Sequence, residues 1–288
     1  MLVLIRVLRR APLLWYFVFA YAASGLALAV IGWPRLDATG GRPAASLAMF
    51  PVVVIGAGLA GLAMTAATGG RQALRQLRAR LTRWRLGRWW LVLLLPPLGI
   101  LAVLAALRLF VSPSFAPQFF VFGIGIGLVA GLFEEIGWTG FAYPRLRARW
   151  GALGGALLLG VLWALWHMPV VDALGAASPH GAAWLAFFGS FTALVVALRI
   201  LIAWLYVNTG SVLGAQLLHA SSTGCLVVLG APGVSPDQEA LWYVTYAALL
   251  WLVVGVVVAV CGPGLSTARR QHTGSPLGGP DPADAAAA

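Results

Sequence analysis

Apolar residues follow one another along this chain in long unbroken stretches and do not alternate with polar ones. Eight such runs can be drawn, at about 13–33, 44–65, 89–110, 118–138, 151–171, 183–206, 211–231 and 240–262. Each approaches or exceeds the roughly 20 residues a helix needs to cross the hydrocarbon of a bilayer. No period of two runs through them, so the pattern predicts helices and no strands. No charge interrupts 150–171, 173–198, 200–236 or 240–268. The stretch 200–236 is too long for one crossing, and the polar, turn-forming Asn208-Thr209-Gly210-Ser211 divides it in two. The expected architecture is all-α: a polytopic membrane bundle of about eight transmembrane helices over residues 1–262. A disordered cytoplasmic tail is expected over 263–288, where Ser, Gly, Pro and Asp replace any apolar period.

Composition narrows the class. Of 288 residues 61% are hydrophobic and 9% charged, whereas a soluble domain carries about a quarter charged residues. An ordinary globular protein and a disordered chain are both excluded. The net charge of +11 comes entirely from arginines clustered between the apolar runs, which is a topology signal and gives no reason to expect nucleic acid. With the N-terminus inside, fifteen arginines fall in inner segments and three (Arg35, Arg42, Arg108) in outer loops. Both termini are therefore expected in the cytoplasm. Arg199 lies within the sixth run and enters neither count. The use of Arg to the exclusion of Lys, with abundant Ala, points by association to a bacterial source. Cys225 and Cys261 lie in apolar runs without disulfide or zinc-finger spacing.

Three segments imitate something else. Arg6, Arg9 and Arg10 followed by an apolar stretch and Ala20-Tyr21-Ala22 resemble a cleavable signal, but the run continues to Trp33 and is long enough to be retained. Gly56, Gly58 and Gly61 match a dinucleotide fingerprint, yet no acidic residue occurs between Asp37 and Glu134, so close helix packing is the better account. Residues 71–88 place Leu74, Leu77, Leu81 and Trp84 on one helical face with arginines around the other. That suits either a helix lying on an anionic lipid leaflet or a plain basic loop.

The chemistry concentrates in few residues. An ionised carboxylate at mid-bilayer costs roughly 2.5–3.5 kcal/mol, so Glu134 and Glu135, adjacent at the end of an uncharged run, must face a bundle interior or a hydrated cavity, unless their place near the helix end lets both reach the cytoplasmic headgroups. Gly123, Gly127 and Gly131 recur every fourth residue and Glu135 continues their row, a ridge a second helix can approach closely. By counting, the glutamates sit toward the inner end of the fourth span and His167 toward the outer end of the fifth. Some shift must therefore bring His167 deeper. Trp163 and His167 share a face, as do His219 and Thr223, with Gln216 nearby. A carboxylate and an imidazole sharing one water form a general base, and a second His with a hydroxyl can stabilise an oxyanion. Alternatively, Glu134, His167 and His219 are the ligand types of a hydrolytic zinc site. Either scheme hydrolyses an amide away from bulk water.

Glu134-Glu135-Ile136-Gly137-Trp138-Thr139-Gly140-Phe141 with Tyr143-Pro144-Arg145-Leu146 resembles the first motif of the CPBP intramembrane proteases, the CAAX protease and bacteriocin-processing family. Trp163-x-x-x-His167 is similar to the second motif, and His219-Ala220-Ser221-Ser222-Thr223 to the last. The resemblance is strongest over roughly 118–225. It implies a helical membrane endopeptidase with a conical cavity. In it Glu134 would activate water with His167, Glu135 would support the site, and His219 with position 223 would stabilise the oxyanion or help hold zinc. It also implies membrane lipid and a peptide or protein as partners, the substrate being CAAX-like or bacteriocin-like, in a bacterial plasma membrane. Two departures stand out: an Arg common in the family is Thr139 here, which removes a cation, and the Asn of the last motif is Thr223. A degenerate peptide-binding or immunity protein is the alternative these departures raise. A proton-coupled transporter is disfavoured by the lack of matching halves.

Overall fold

A computed structural model describes residues 2–27, 29–30, 44–174, 177 and 179–267. Among these the regular structure is helical: α1 (Leu2–Arg10), α2 (Pro12–Ala27), α3 (Ala44–Leu81), α4 (Leu95–Phe110, led by a 3₁₀ segment Gly87–Leu94), α5 (Phe122–Gly137), α6 (Tyr143–Leu174), α7 (Trp184–Thr209), α8 (Val212–Val228) and α9 (Pro236–Cys261). Helices satisfy their own backbone groups, which a segment in lipid requires. Among the described residues five helical stretches are long and apolar enough to cross a membrane: Met49–Leu81, Gly87–Phe110, Phe122–Met168, Gly181–Thr209 and Pro236–Cys261. Pro12–Ala27 and Val212–Val228 are apolar but shorter. The protein is a multi-pass helical bundle.

Local sequence explains the boundaries. Gly210 closes α7 at φ 63°, a left-handed position that suits glycine, and the Ser211 side chain accepts from Gly214 N to open α8. The polar cluster at 208–211 thus splits the long apolar stretch where expected. Ser235 and Gln238 form a capping box ahead of α9, with Pro236 in its first turn. Past α9, Asn208 Nδ2 donates to Leu265 O at 2.8 Å and Leu265 is fully buried, so the residues just after Gly262 are held on the bundle. The remainder of the tail, His272 included, lies outside the described residues, as do residues 31–33 of the first apolar run.

Glycines set how close the helices come. A Cβ on Gly127 would lie 2.4 Å from Ala220 O, and one on Gly131 2.3 Å from Gln216 O. The ridge on α5 therefore receives the backbone of α8, as its spacing predicts. The fingerprint glycines do the same for α3. A Cβ on Gly58 would meet Phe133 O at 2.6 Å, and one on Gly61 would meet Gly137 Cα at 2.5 Å. Close packing accounts for both glycines.

One boundary differs from expectation, and it removes the mismatch in depth. The fourth span does not end near 138. Helix α5 runs through a π-helical turn, Trp138–Ala142, into α6, and Trp138 through Tyr143 are all buried. The break comes at Gly151, where φ 73° and ψ 176° interrupt the helix immediately after Arg145, Arg147 and Arg149. Glu135 and His167 stand equally far from Gly151 on its two sides, so the turn there brings them to a common level. The counting argument failed because it ended the span where apolar character weakens, although Thr139 and Gly140 remain inside the protein.

The basic segment is helical as far as Leu81. After a break at Gly70 (φ 58°) its helix docks against the protein. Leu77 is buried and sits where a Cβ on Gly140 would meet it at 2.8 Å, and Arg80 donates to Gly140 O at 3.2 Å and to Tyr206 OH at 2.9 Å. Most of the remaining positions in 71–88, Trp84 among them, are exposed.

Replacing Gly127 by Ala is expected to lower stability in detergent by about 1–3 kcal/mol, since backbone on the facing helix cannot yield. Gly125, with nothing within 4 Å of its would-be Cβ, is the control. Thermal unfolding of Gly125→Ala should match or slightly exceed wild type.

Candidate active site

The two glutamates leave α5 in different directions and meet different partners. Both are inside the protein, Glu134 2% and Glu135 0% exposed, so neither reaches headgroups or bulk water. The π turn that follows them folds two side chains back: Trp138 Nε1 donates to Glu134 Oε2 at 3.1 Å, and Thr139 Oγ1 donates to Glu135 Oε2. Each donor lies four residues past its acceptor, on the same helical face.

Glu135 is saturated. Arg199 on α7 grips it with both terminal nitrogens, Nη2 to Oε1 at 2.5 Å and Nη1 to Oε2 at 3.0 Å. His219 Nδ1 on α8 donates to Oε1 at 3.0 Å. With Thr139, four donors occupy the roughly four acceptor positions of a carboxylate. Such a group cannot also receive a proton from water without losing a partner, which suits Glu135 to anchoring its neighbours. The carboxylate accepts from Nδ1 of His219, which fixes a proton on that nitrogen and turns Nε2 away from the anchor.

Glu134 is only half engaged. Trp163 Nε1 on α6 donates to Oε2 at 2.9 Å alongside Trp138. Oε1 has no protein partner among the described residues. Trp163 serves the other groups as well. Its carbonyl accepts from His167 Nδ1 at 2.8 Å, which sets that ring with Nε2 unprotonated. The Arg199 guanidinium lies 4.4 Å from its ring centroid, and the His219 ring packs edge-on at 4.8 Å. Trp166 and Phe191 pack edge-on against His167 at 4.8 and 5.2 Å.

Glu134, Glu135, His167 and His219 are thus drawn into one network by α5, α6, α7 and α8, as the sequence suggested. Thr223 is not: it is half-buried, one turn past His219, and outside the hydrogen bonds of this cluster. Gln216 turns away and donates to Leu132 O at 2.5 Å. One expectation changes. The loss of a cation at Thr139 is made good by Arg199, a residue the charge count set aside. A signal for it existed, since a lone cation inside an apolar span has to find the intramembrane acids. Among the described residues, no three His, Cys, Asp or Glu side chains converge closely enough to hold a metal ion. The Glu134, His167 and His219 set is therefore not gathered into a zinc site as placed. Glu134 Oε2 is turned to two indoles, and each imidazole is oriented separately, His167 by a carbonyl and His219 by Glu135.

Residues 116–224 match the family described as type II CAAX prenyl endopeptidase Rce1-like. A "CAAX prenyl protease 2" from Methanococcus maripaludis is 37% identical over 60 residues, 21% of this chain and 20% of that protein. The match spans about a fifth of the length of that relative.

The Glu135–Arg199 pair yields a stability prediction. Glu135→Gln or Arg199→Met alone leaves a buried charge unpaired and is expected to cost about 3–5 kcal/mol. The double variant should cost clearly less than the sum. Unfolding in detergent across the four proteins measures the coupling, and additive losses would mean the pair is not formed.

Proposed function

We propose that this multi-pass membrane protein, which carries the Rce1-like core of the CPBP family at residues 116–224, is a CAAX-type endopeptidase. It would hydrolyse a peptide bond of a membrane-associated substrate. The observation that supports this best is the division of labour within the acidic pair. Glu135 is fully occupied by Arg199, His219 and Thr139, while Glu134 keeps one free oxygen next to the tryptophan that also orients His167.

In this proposal a water is held between Glu134 Oε1 and His167 Nε2. Glu134 takes a proton as the water oxygen bonds to the scissile carbonyl carbon. The carbonyl oxygen becomes an oxyanion and accepts a hydrogen bond from His219 Nε2 in the imidazolium form, whose charge Glu135 balances through Nδ1. Collapse breaks the C–N bond, and Glu134 returns its proton to the leaving amine. Thr223, a turn beyond His219, is a second donor to the bound peptide rather than part of the resting network. The burial of the cluster keeps competing water out and strengthens each of these interactions. Zinc, if bound, would supply Lewis-acid polarisation of the same carbonyl, with Glu134, His167 and His219 as the side chains of suitable type.

Prenylated CAAX-like peptides and bacteriocin-like leader peptides are the proposed substrates. A bacterial plasma membrane is the proposed location, with the arginine-rich ends of the helices in the cytoplasm. Arg6, Arg9, Arg10, the 71–88 segment and Arg145 to Arg149 all support that orientation.

Purified protein with a library of prenylated and unmodified peptides tests the assignment. Glu134→Gln and His167→Ala are each expected to lower turnover by about 10²–10⁴-fold, with unfolding temperatures near wild type. Cleavage unchanged in both variants would rule out Glu134 as the base and His167 as its partner. Peptide binding without cleavage by wild type would instead identify an immunity or peptide-holding protein.

The same preparation decides the metal. The placement of the side chains predicts turnover that survives a chelator. Loss of turnover on chelation, restored by zinc, would show that substrate draws Glu134, His167 and His219 onto an ion.

A further inference from the structure

Arg199 is fully buried, carries the only cation that touches the acidic pair among the described residues, and comes from a helix that supplies none of the proposed catalytic groups. It does three things at once. Its two terminal nitrogens fix both oxygens of Glu135, and Glu135 in turn fixes His219. Its Nη1 also donates to Thr139 Oγ1 at 3.1 Å, so the Thr139 hydroxyl closes a ring of Arg, Thr and Glu. Its guanidinium lies over the Trp163 ring, whose indole N–H holds Glu134 and whose carbonyl holds His167. One side chain thereby braces both halves of the site.

A small residue at 139 is part of this arrangement. Thr139 is 1% exposed and sits on the face of the π turn that looks back at Glu135. A long cationic side chain at 139 would start from the same Cβ and enter the volume that the Arg199 guanidinium fills. Two cations cannot share that space in a low-dielectric interior, where like charges repel strongly. One guanidinium can serve Glu135 from either helix.

We propose that Arg199 is the positioning residue of this site, and that positions 199 and 139 are alternative origins of a single required cation. Its catalytic part rests on the endopeptidase assignment. Its structural part, the orientation of His219, does not. Arg199 touches neither substrate nor water in this scheme; it acts through Glu135 and Trp163.

The proposal has a signature that a merely space-filling role lacks. Arg199→Ala should lower kcat by about 10²-fold with little change in KM, because the groups that move are those that do chemistry. Thr139→Arg in the wild-type background should be deleterious too. Combined, Arg199→Ala with Thr139→Arg should recover much of the lost kcat, since one cation again faces Glu135 in the space vacated. Two harmful changes that cancel would be hard to obtain from packing alone.

A measurement without substrate keeps the two proposals separable. In bilayers, ¹⁵N-histidine spectra, with His219 assigned by its loss in His219→Gln, should show His219 protonated at Nδ1 in the resting wild-type protein. Arg199→Ala should disturb that single state, and the double variant should restore it. Restoration of the His219 signal in a protein that cleaves no peptide would leave the positioning role standing and sink the endopeptidase assignment. A wild-type His219 spectrum in folded Arg199→Ala, or a folded double variant with neither spectrum nor kcat restored, would overturn the positioning role. Should Arg199→Ala fail to fold, the double variant alone decides, because one cation suffices for it to fold with the wild-type His219 signal, and a double variant that also fails to fold counts against the proposal.

Discussion

A carboxylate buried among membrane helices has to be matched by donors, and the pairing of Glu135 with Arg199 meets that demand. The carboxylate arrives on α5, the guanidinium on α7, and the imidazole that completes the set on α8. None of these helices can rotate or slide without leaving a charge unpaired in a medium where that costs several kcal/mol. The pair therefore acts as a register mark for the bundle. The close backbone approach of α5 to α8, permitted by Gly127 and Gly131, brings His219 within hydrogen-bonding reach of Glu135.

From that anchor the rest of the site follows by contact. Arg199 lies against Trp163, Trp163 holds Glu134 and His167, and the π turn returns Trp138 and Thr139 to the two glutamates. One member of an adjacent pair of identical residues is locked, and the other is left with an open oxygen. The asymmetry comes from neighbours and not from the glutamates themselves. It is the general way in which two like groups acquire different chemical roles.

Much of this was readable in the residues. Long apolar runs, the Asn208–Ser211 divider and the glycine ridge each rest on a strong local rule, and the structure agrees with them. Burial of Glu134 and Glu135 followed from the cost of exposing acids to lipid. What local patterns could not supply was anything set by a second helix. Counting ended the fourth span at 138, because Thr139 and Gly140 resemble a boundary when nothing shows that they are covered by Leu77 and gripped by Arg199. The depth of His167 became clear only with the positive φ at Gly151. Arg199 adds nothing to a charge count by loops, yet its isolation inside an apolar span is itself the clue to its partner. The spacing puts Trp163 on one face with His167, but its indole bond to Glu134 depends on a helix packing that no spacing reveals.

The most direct test of this account is the separation between the Glu135 carboxylate carbon and the Arg199 guanidinium nitrogens, measured by solid-state dipolar recoupling in lipid bilayers on selectively labelled protein. The account predicts strong coupling at direct hydrogen-bonding distance, lost in Glu135→Gln labelled at the same positions of Arg199. A carboxylate with no guanidinium coupling in folded protein would contradict it, and the site would then need some other cause of assembly.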